Sequence, residues 1–203
     1  MTFVFTSNSQ DKKSTFGKYY HLNGYGLQVP FGEPPIKTDP LNNEELTSQE
    51  FRSFPANEDK TAYAVAILNS KRLTNIADST KELEYFAKIN KLTAENIMKG
   101  KSINETQGIF KNKVCYNLKF IFHNDELKED YYMTSLMFYH KTNIIKAYVI
   151  SSIKSNNDKR INEFFESIIL QDEVINTDNN DESIYTIVPI IAKTGEVDHP
   201  RPI

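Results

Sequence analysis

The chain has 203 residues, a net charge of −3 and a pI of about 5.9, with 39% hydrophobic and 12% aromatic residues. This acidic balance argues against nucleic-acid binding, which depends on a basic surface, and no apolar run is long enough for membrane insertion. The single cysteine, Cys115, excludes an internal disulfide framework and is expected to be a small buried or half-buried thiol.

The first 15 residues predict a flexible N-terminus that resembles the end of an export signal. Ser7 and Ser9 are small residues with the −3/−1 spacing that signal peptidase recognises, and Gln10 would then begin the mature chain. Leaders of envelope proteins in the Bacteroidota resemble this ending. The candidate cleavage site is therefore Ser9–Gln10, and the expected location is periplasmic or secreted, with a cytoplasmic location as the alternative.

The next segment predicts short strands and a long connection. Residues 18–30 favour two strands joined by Asn23-Gly24, a common hairpin dipeptide. Several prolines then predict a loop over residues 31–50, whose length makes it a candidate functional loop. Two further strands are predicted at 50–54 and 61–69, and the second is apolar enough to be buried.

An amphipathic helix follows these strands. Ser79 and Glu82 match a capping box, and Gly100 marks the end of the helix. Its predicted apolar stripe consists of Leu83, Phe86, Ala87, Ile89, Leu92, Ala94, Ile97 and Met98. Another strand is predicted over residues 103–111.

The centre of the chain predicts three antiparallel strands in a row. Residues 114–123 alternate between two faces, and 131–140 and 144–152 continue the pattern after short connections, with Asn143 as a candidate left-handed turn residue. Large apolar side chains on both faces predict that both faces are covered.

A second amphipathic helix is predicted to close the domain. Residues 156–158 carry N-cap side chains. Apolar residues then recur at helical spacing: Ile161, Phe164, Phe165, Ile168 and Ile169. We therefore expect a single α+β domain over residues 16–171, followed by an acidic linker and extended tail over 172–203, in which residues 183–192 are a candidate edge strand.

This order of elements resembles the PsbP-like family, which includes the extrinsic photosystem II subunit and bacterial envelope proteins. Three segments carry the resemblance: Tyr-Gly-Leu-Gln-Val-Pro at 25–30, the strands from 114 to 152, and Ile-Asn-Glu-Phe-Phe-Glu-Ser-Ile at 161–168. The resemblance implies an α/β/α sandwich, with an antiparallel sheet of about six strands and helices on both faces. It also implies a binding or accessory role, and no functional residue is carried over.

The histidines and acidic runs do not predict a metal site. The four histidines are His21, His123, His140 and His199. Pairing of the strands 113–123 and 131–140 would place His123 and His140 about 30 Å apart, whereas zinc needs three or four converging ligands. The acidic residues 178–182 lack the glycine and distal glutamate of an EF-hand loop, so we interpret them and residues 125–130 as solvated segments.

The sequence has no nucleophile elbow, P-loop or dinucleotide fingerprint, so it predicts no catalytic residue and no cofactor. With 11 tyrosines and 13 phenylalanines, an aromatic surface patch is one hypothesis, and burial in sheet faces is the alternative. The candidates for that patch are Tyr19, Tyr20, Tyr25, Tyr131 and Tyr139.

Three functional hypotheses remain. The first is an exported accessory or binding protein without catalytic activity, whose partner is a protein or a small molecule. The second is an intracellular protein-interaction module on the same fold. The third is a small hydrolase whose carboxylate pair forms only in three dimensions.

Overall fold

The computed structural model of the protein describes residues 16, 18–38, 41–42, 46–55, 60–70, 79–171 and 185–188. The strands of these ranges are β1 Tyr19–Leu22, β2 Leu27–Val29, β3 Ile36–Lys37, β4 Leu41–Asn42, β5 Leu46–Ser53, β6 Thr61–Ser70, β7 Lys101–Phe110, β8 Lys113–Asn124, β9 Glu129–His140, β10 Asn143–Ser152, β11 Ile169–Leu170 and β12 Tyr185–Val188. The helices are α1 Ser79–Asn96 and α2 Asp158–Ser167, with a short 3₁₀ helix at Ile153–Ser155.

The strands form two antiparallel sheets, so the protein belongs to the predicted α+β class. The large sheet has the order β3-β5-β6-β10-β9-β8-β7, and β4 also pairs with β5; the small sheet has the order β11-β2-β1-β12. The prediction of one sheet with about six strands is wrong in the strand count. The N-terminal hairpin, β1 and β2, lies at the centre of the small sheet. Its apolar side chains, which include Leu22 and Leu27, share a core with one face of the large sheet.

The predicted central meander is confirmed, with strand ends within two residues of the expected positions. Strands β7 to β10 pair in sequence, and residue pairs such as Phe120 with Met133 give the register of β8 and β9. One detail differs: in the β9–β10 turn Lys141, with φ 55°, adopts the left-handed conformation that we predicted for Asn143. Asn143 instead begins β10 and pairs with His140.

The predicted loop over residues 31–50 is wrong for much of its length. It contains β3, β4 and the first half of β5, which pairs with β6 from Leu46 to Ser53. The sequence predicts this strand only from residue 50, because Thr47, Ser48 and Gln49 give the first half of β5 no apolar alternation. Backbone pairing with the apolar strand β6 therefore outweighs the weak local strand preference of β5.

Helix α1 is confirmed, but its apolar stripe is narrower than predicted. Leu83, Phe86, Ala87 and Ala94 are buried, whereas Ile89, Leu92 and Ile97 are exposed. Ile97 lies beyond the last helical residue, Asn96. The helix therefore contacts the sheet through one face, and the apolar side chains of Ile89, Leu92 and Ile97 are exposed to solvent.

Helix α2 begins and ends close to the predicted positions. The side chain of Asn157 accepts a hydrogen bond from the Arg160 amide at 3.0 Å, which caps the helix. Phe164 is fully buried. Ile169 is not part of the helix face as predicted, because the chain enters β11 there and leaves this side chain 40% exposed.

The two helices contribute to different hydrophobic cores. On β6, Val65 belongs to the core that contains Phe164 of α2, and the neighbouring Ala66 belongs to the core that contains Phe86 of α1. Successive side chains of a strand point to opposite faces of the sheet. The cores therefore lie on opposite faces of β6.

Candidate functional site

The face of β6 toward α1 carries alanines where the other face carries large side chains. Four polar side chains flank these alanines in the sheet register: Glu50 and Lys146 beside Ala66, and Arg52 and Tyr148 beside Ala64. A methyl group fills little of the space between neighbouring strands. The long polar side chains of β5 and β10 can therefore approach one another above β6.

Three of these side chains form a connected network. The Tyr148 hydroxyl donates a hydrogen bond to Oε2 of Glu50 at 2.5 Å. Nη2 of Arg52 donates to Oε1 of Glu50 at 2.5 Å and to the Tyr148 oxygen at 3.3 Å. Burial, together with Glu50, raises the pKa of Tyr148 above its usual range, so this hydroxyl is a neutral donor at physiological pH.

Lys146 links the network to helix α1. Its Nζ donates to Oδ1 of Asn90 at 2.5 Å and lies 5.0 Å from the centroid of the Tyr148 ring. Burial lowers the pKa of Lys146 to about 8, and the nearby Glu50 opposes part of that shift. The amine is therefore still mostly protonated at neutral pH but close to the range in which it titrates.

These side chains line a cleft of about 230 Å³ between α1 and the large sheet. Its walls combine polar and apolar groups: Arg52, Asn90, Thr93, Ala94, Met98, Met133, Lys146, Tyr148 and Ile150. A site with an apolar wall and a few converging polar groups is the usual form of a small-molecule site.

Two donors in this cleft lack acceptors. Nε of Arg52 and Nδ2 of Asn90 are buried and have no hydrogen-bond partner among the described residues. A buried donor without a partner costs about 1–3 kcal/mol. With the ammonium group of Lys146, these donors suit a ligand head group that accepts hydrogen bonds, and a carboxylate or phosphate is the strongest such acceptor.

A second, smaller cleft of about 180 Å³ is lined by Thr80, Leu83, Lys113, Val114 and Tyr139. Its lining contains a single charged side chain, Lys113. The Lys146 cleft is therefore the stronger candidate site, since its donors converge and remain unsatisfied.

The histidines occupy separate environments. In the β8–β9 ladder His123 pairs with Asp130, whereas His140 lies at the other end of β9, so the predicted separation of these two side chains is confirmed. His123 is exposed and lies 2.7 Å from the Asp130 carboxylate. His140 is buried, and so is His21. His199 lies outside the described residues.

The proposed aromatic surface patch is wrong for two of its five members. Tyr20 and Tyr131 are buried, because Tyr20 belongs to the core beneath the small sheet and Tyr131 stacks against Phe122. Tyr19, Tyr25 and Tyr139 are only partly exposed. The aromatic side chains therefore serve mainly the cores and their rims.

Cys115 is fully buried in β8, and burial raises the pKa of its thiol to about 11. The expected buried thiol is confirmed, and its raised pKa disfavours the thiolate that nucleophilic chemistry requires. The candidate cleavage site Ser9–Gln10 and the acidic residues 172–182 lie outside the described residues. No helix within the described ranges is long and apolar enough to cross a membrane.

None of the cleft residues was predicted as a site residue, although the sequence contains one usable signal. Lys146 occupies a core-facing position in a strand whose same-face neighbours are Ile144, Tyr148 and Ile150. A lysine in such a position is uncommon unless it has a partner or a role. Glu50 and Arg52 lie in the strand predicted over residues 50–54, but they gave no signal because charged side chains on a short strand are ordinarily exposed to solvent.

Comparison with known proteins finds similarity at the level of structure. No protein-family model matches the chain, and no curated protein matches it. The solution structure of cyanobacterial PsbP (CyanoP) from Synechocystis matches with a TM-score of 0.49 at 13% identity, covering 80% of this chain and 97% of that one.

Two further solved structures illustrate the same similarity. LpqN, described as involved in cell envelope biogenesis of Mycobacterium tuberculosis, has a TM-score of 0.41 at 9% identity and covers 69% of this chain and 87% of that one. A protein from Bacteroides thetaiotaomicron has a TM-score of 0.46 at 12% identity, covering 77% of this chain and 50% of that one. A cyanobacterial PsbP is thus among the solved structures to which this chain is similar, and it represents the family that the sequence pattern resembles.

Proposed function

We propose that the protein is a non-catalytic binding or accessory protein whose ligand is a small molecule with a carboxylate or similar acidic head group. One observation carries the proposal: Arg52 and Asn90 line the cleft that also holds Lys146, and each has a buried donor with no hydrogen-bond partner among the described residues. An acidic head group would satisfy both donors and would neutralise the ammonium group.

The apolar wall of the cleft supports a ligand with a short apolar body. Met98 and Met133 line the cleft together with Ile150. Methionine side chains adapt to irregular shapes, so this wall can contact alkyl or aryl groups without a fixed outline. The expected ligand is therefore amphipathic, with its acid toward Arg52 and Asn90.

The network favours binding over hydrolysis. Glycosidase-type hydrolysis needs two carboxyl groups on either side of the scissile bond. Within the described residues, Glu50 is the only acid of this network, and both of its oxygens accept hydrogen bonds from Arg52 or Tyr148. Glu50 thus positions the donors of the site.

The same proposal includes a three-layer sandwich in the cell envelope. Support for the sandwich comes from the separate cores of α1 and α2 on the two faces of β6. Support for export comes from the spacing of Ser7 and Ser9 before Gln10. N-terminal sequencing of protein from the native host tests the export claim: a chain that begins at Gln10 supports it, and an intact Met1 in the cytosol contradicts it.

Calorimetric titration tests the ligand class. We expect hexanoate to bind the wild-type protein, while hexanol, which lacks the acid, does not. The variant Lys146→Met should lose most of the hexanoate affinity, whereas Lys159→Met, which removes an exposed lysine from α2, should retain it. Equal affinity in the two variants, or no preference for the acid over the alcohol, would contradict the proposal.

A further inference from the structure

A second group of polar side chains lies buried at the contact between the small and large sheets. His21 of β1 is 4% exposed and His140, the last residue of β9, is 2% exposed. The β9–β10 turn contributes Lys141, and Gln171 follows β11. Three separate segments, at residues 21, 140–141 and 171, therefore bring their polar groups to one end of the large sheet.

Most of these polar groups have no partner among the described residues. Both ring nitrogens of His21, Nδ1 of His140, Nζ of Lys141 and Oε1 of Gln171 are buried without a hydrogen bond. Nε2 of His140 is the exception, since it lies 3.2 Å from the carbonyl oxygen of Gly26. A buried ammonium group without a counter-charge is especially costly, which points to a missing occupant.

Gly26 allows the close approach that forms this group. A Cβ on Gly26 would lie 2.7 Å from Lys141 Nζ and 2.6 Å from the Gln171 carbonyl oxygen, and its φ of 65° also favours glycine. The Gln171 amide donates to the Gly26 carbonyl at 2.9 Å. The turn of the N-terminal hairpin is thereby held directly against the lysine.

The charges around the group are positive. Burial lowers the pKa of His21, and Lys141 lowers it further. Burial also lowers the pKa of His140, with Lys113 of β8 and Lys141 adding to the effect, while the Gly26 and Gln171 carbonyl groups oppose it. Among the described residues, no carboxylate contributes to either shift.

We propose that His21, His140 and Lys141 bind a small inorganic anion, such as chloride or phosphate, between the two sheets. The anion supplies the counter-charge that Lys141 lacks and accepts hydrogen bonds from the imidazoles. The Gln171 side chain contributes as well, since rotation of its amide presents the NH₂ group in place of Oε1. A bound anion also favours protonated histidine, so binding tightens as the pH falls toward the lowered pKa values of His21 and His140.

Thermal unfolding in different salts tests this site. At constant ionic strength, chloride or phosphate should raise the melting temperature saturably relative to gluconate, which is too large to enter a buried site. The increase should be greater at acidic pH than at neutral pH, and comparison of the chloride and phosphate series identifies the preferred anion. Equal melting temperatures in all three salts at both pH values would overturn the proposal.

A pair of matched variants separates this site from general salt effects. Lys141→Asn removes the ammonium group, and asparagine tolerates the left-handed φ of 55° at this position. Lys128→Asn makes the same change in the turn at the other end of the sheet, where φ is 54°. Lys141→Asn should weaken the anion response about tenfold or more, and Lys128→Asn should not alter it.

The chloride NMR linewidth gives a second readout, because it reports binding without depending on unfolding. A chloride or phosphate response that is unchanged in Lys141→Asn would show that this site does not bind the anion. The anion response should persist in Lys146→Met, because Lys146 lies in the cleft and not in the anion site. The anion proposal can therefore fail while the cleft proposal holds, and the reverse.

Discussion

At the residue scale, the cleft contains a lysine that costs stability in the folded protein. The pKa of Lys146 falls from 10.5 to about 8 on folding, so the protonated amine is less stable in the cleft than in the unfolded chain. Residues that destabilise the fold persist where function needs them. The low pKa of Lys146 therefore supports a ligand-binding role.

Lys146→Met is expected to raise the free energy of unfolding at neutral pH by about 1–3 kcal/mol, because an apolar side chain removes the cost of a buried charge. Urea unfolding at neutral pH measures the change. Lys159→Met, on the exposed face of α2, should change stability by less than about 0.5 kcal/mol. A Lys146→Met variant less stable than the wild type would contradict the conclusion that the Lys146 charge destabilises the fold.

The pH dependence of the same residue gives a second prediction. The folded pKa of Lys146 is lowered, so between about pH 8 and 10.5 the unfolded state binds more protons than the folded state. Stability from this residue therefore rises with pH across that window. The stability advantage of Lys146→Met should shrink as the pH rises through it, and a constant advantage would argue that Lys146 has an ordinary pKa.

Tyr148→Phe tests the network itself. The substitution leaves Oε2 of Glu50 without the Tyr148 donor, and we expect a loss of about 1–3 kcal/mol in the free energy of unfolding. Tyr85→Phe is the matched control, since Tyr85 is 58% exposed on α1. Equal effects of the two substitutions would show that the Tyr148 hydroxyl contributes nothing specific.

At the element scale, the sequence was most informative where a regular period and deep burial coincide. The alternation in β8 to β10 and the helical spacing of Ile161, Phe164 and Phe165 matched the structure because one pattern satisfies both local geometry and packing. Only the second half of β5 was predicted as a strand, since pairing with β6, and not the composition of residues 46–49, places the first half in the sheet. Glu50 and Arg52 were missed as site residues because their position across β6 from Lys146 and Tyr148 depends on the sheet register.

The aromatic contacts of α2 provide an element-scale prediction. Phe164 packs against the rings of Phe16, Phe31 and Tyr63, with centroids 4.9 to 6.4 Å away. Phe164→Ala should cost about 3–5 kcal/mol in urea unfolding, because it leaves a cavity in this core. Ile169→Ala should cost about 1 kcal/mol or less, given its exposure. Similar costs for both would mean that α2 is not anchored through Phe164.

At the scale of the whole molecule, two polar sites lie on different parts of the large sheet. One lies beneath α1, between β5 and β10, and the other lies where the small sheet contacts the β9–β10 turn. Neither could be found from sequence spacing, since each draws residues from at least three elements that are distant along the chain. The sequence pattern predicts individual strands, whereas the register of the folded sheet places Arg52 and Lys146 on either side of Ala64 and Ala66.

The central claim is that the cleft beneath α1 binds a small acid. Amide NMR spectra of isotope-labelled protein, recorded during titration with hexanoate and separately with hexanol, test it most directly. We expect hexanoate to shift the amide signals near Asn90, Arg52 and Lys146 saturably, with little effect from hexanol. Absence of saturable shifts, shifts confined to other parts of the sheet, or equal responses to the acid and the alcohol would contradict the claim.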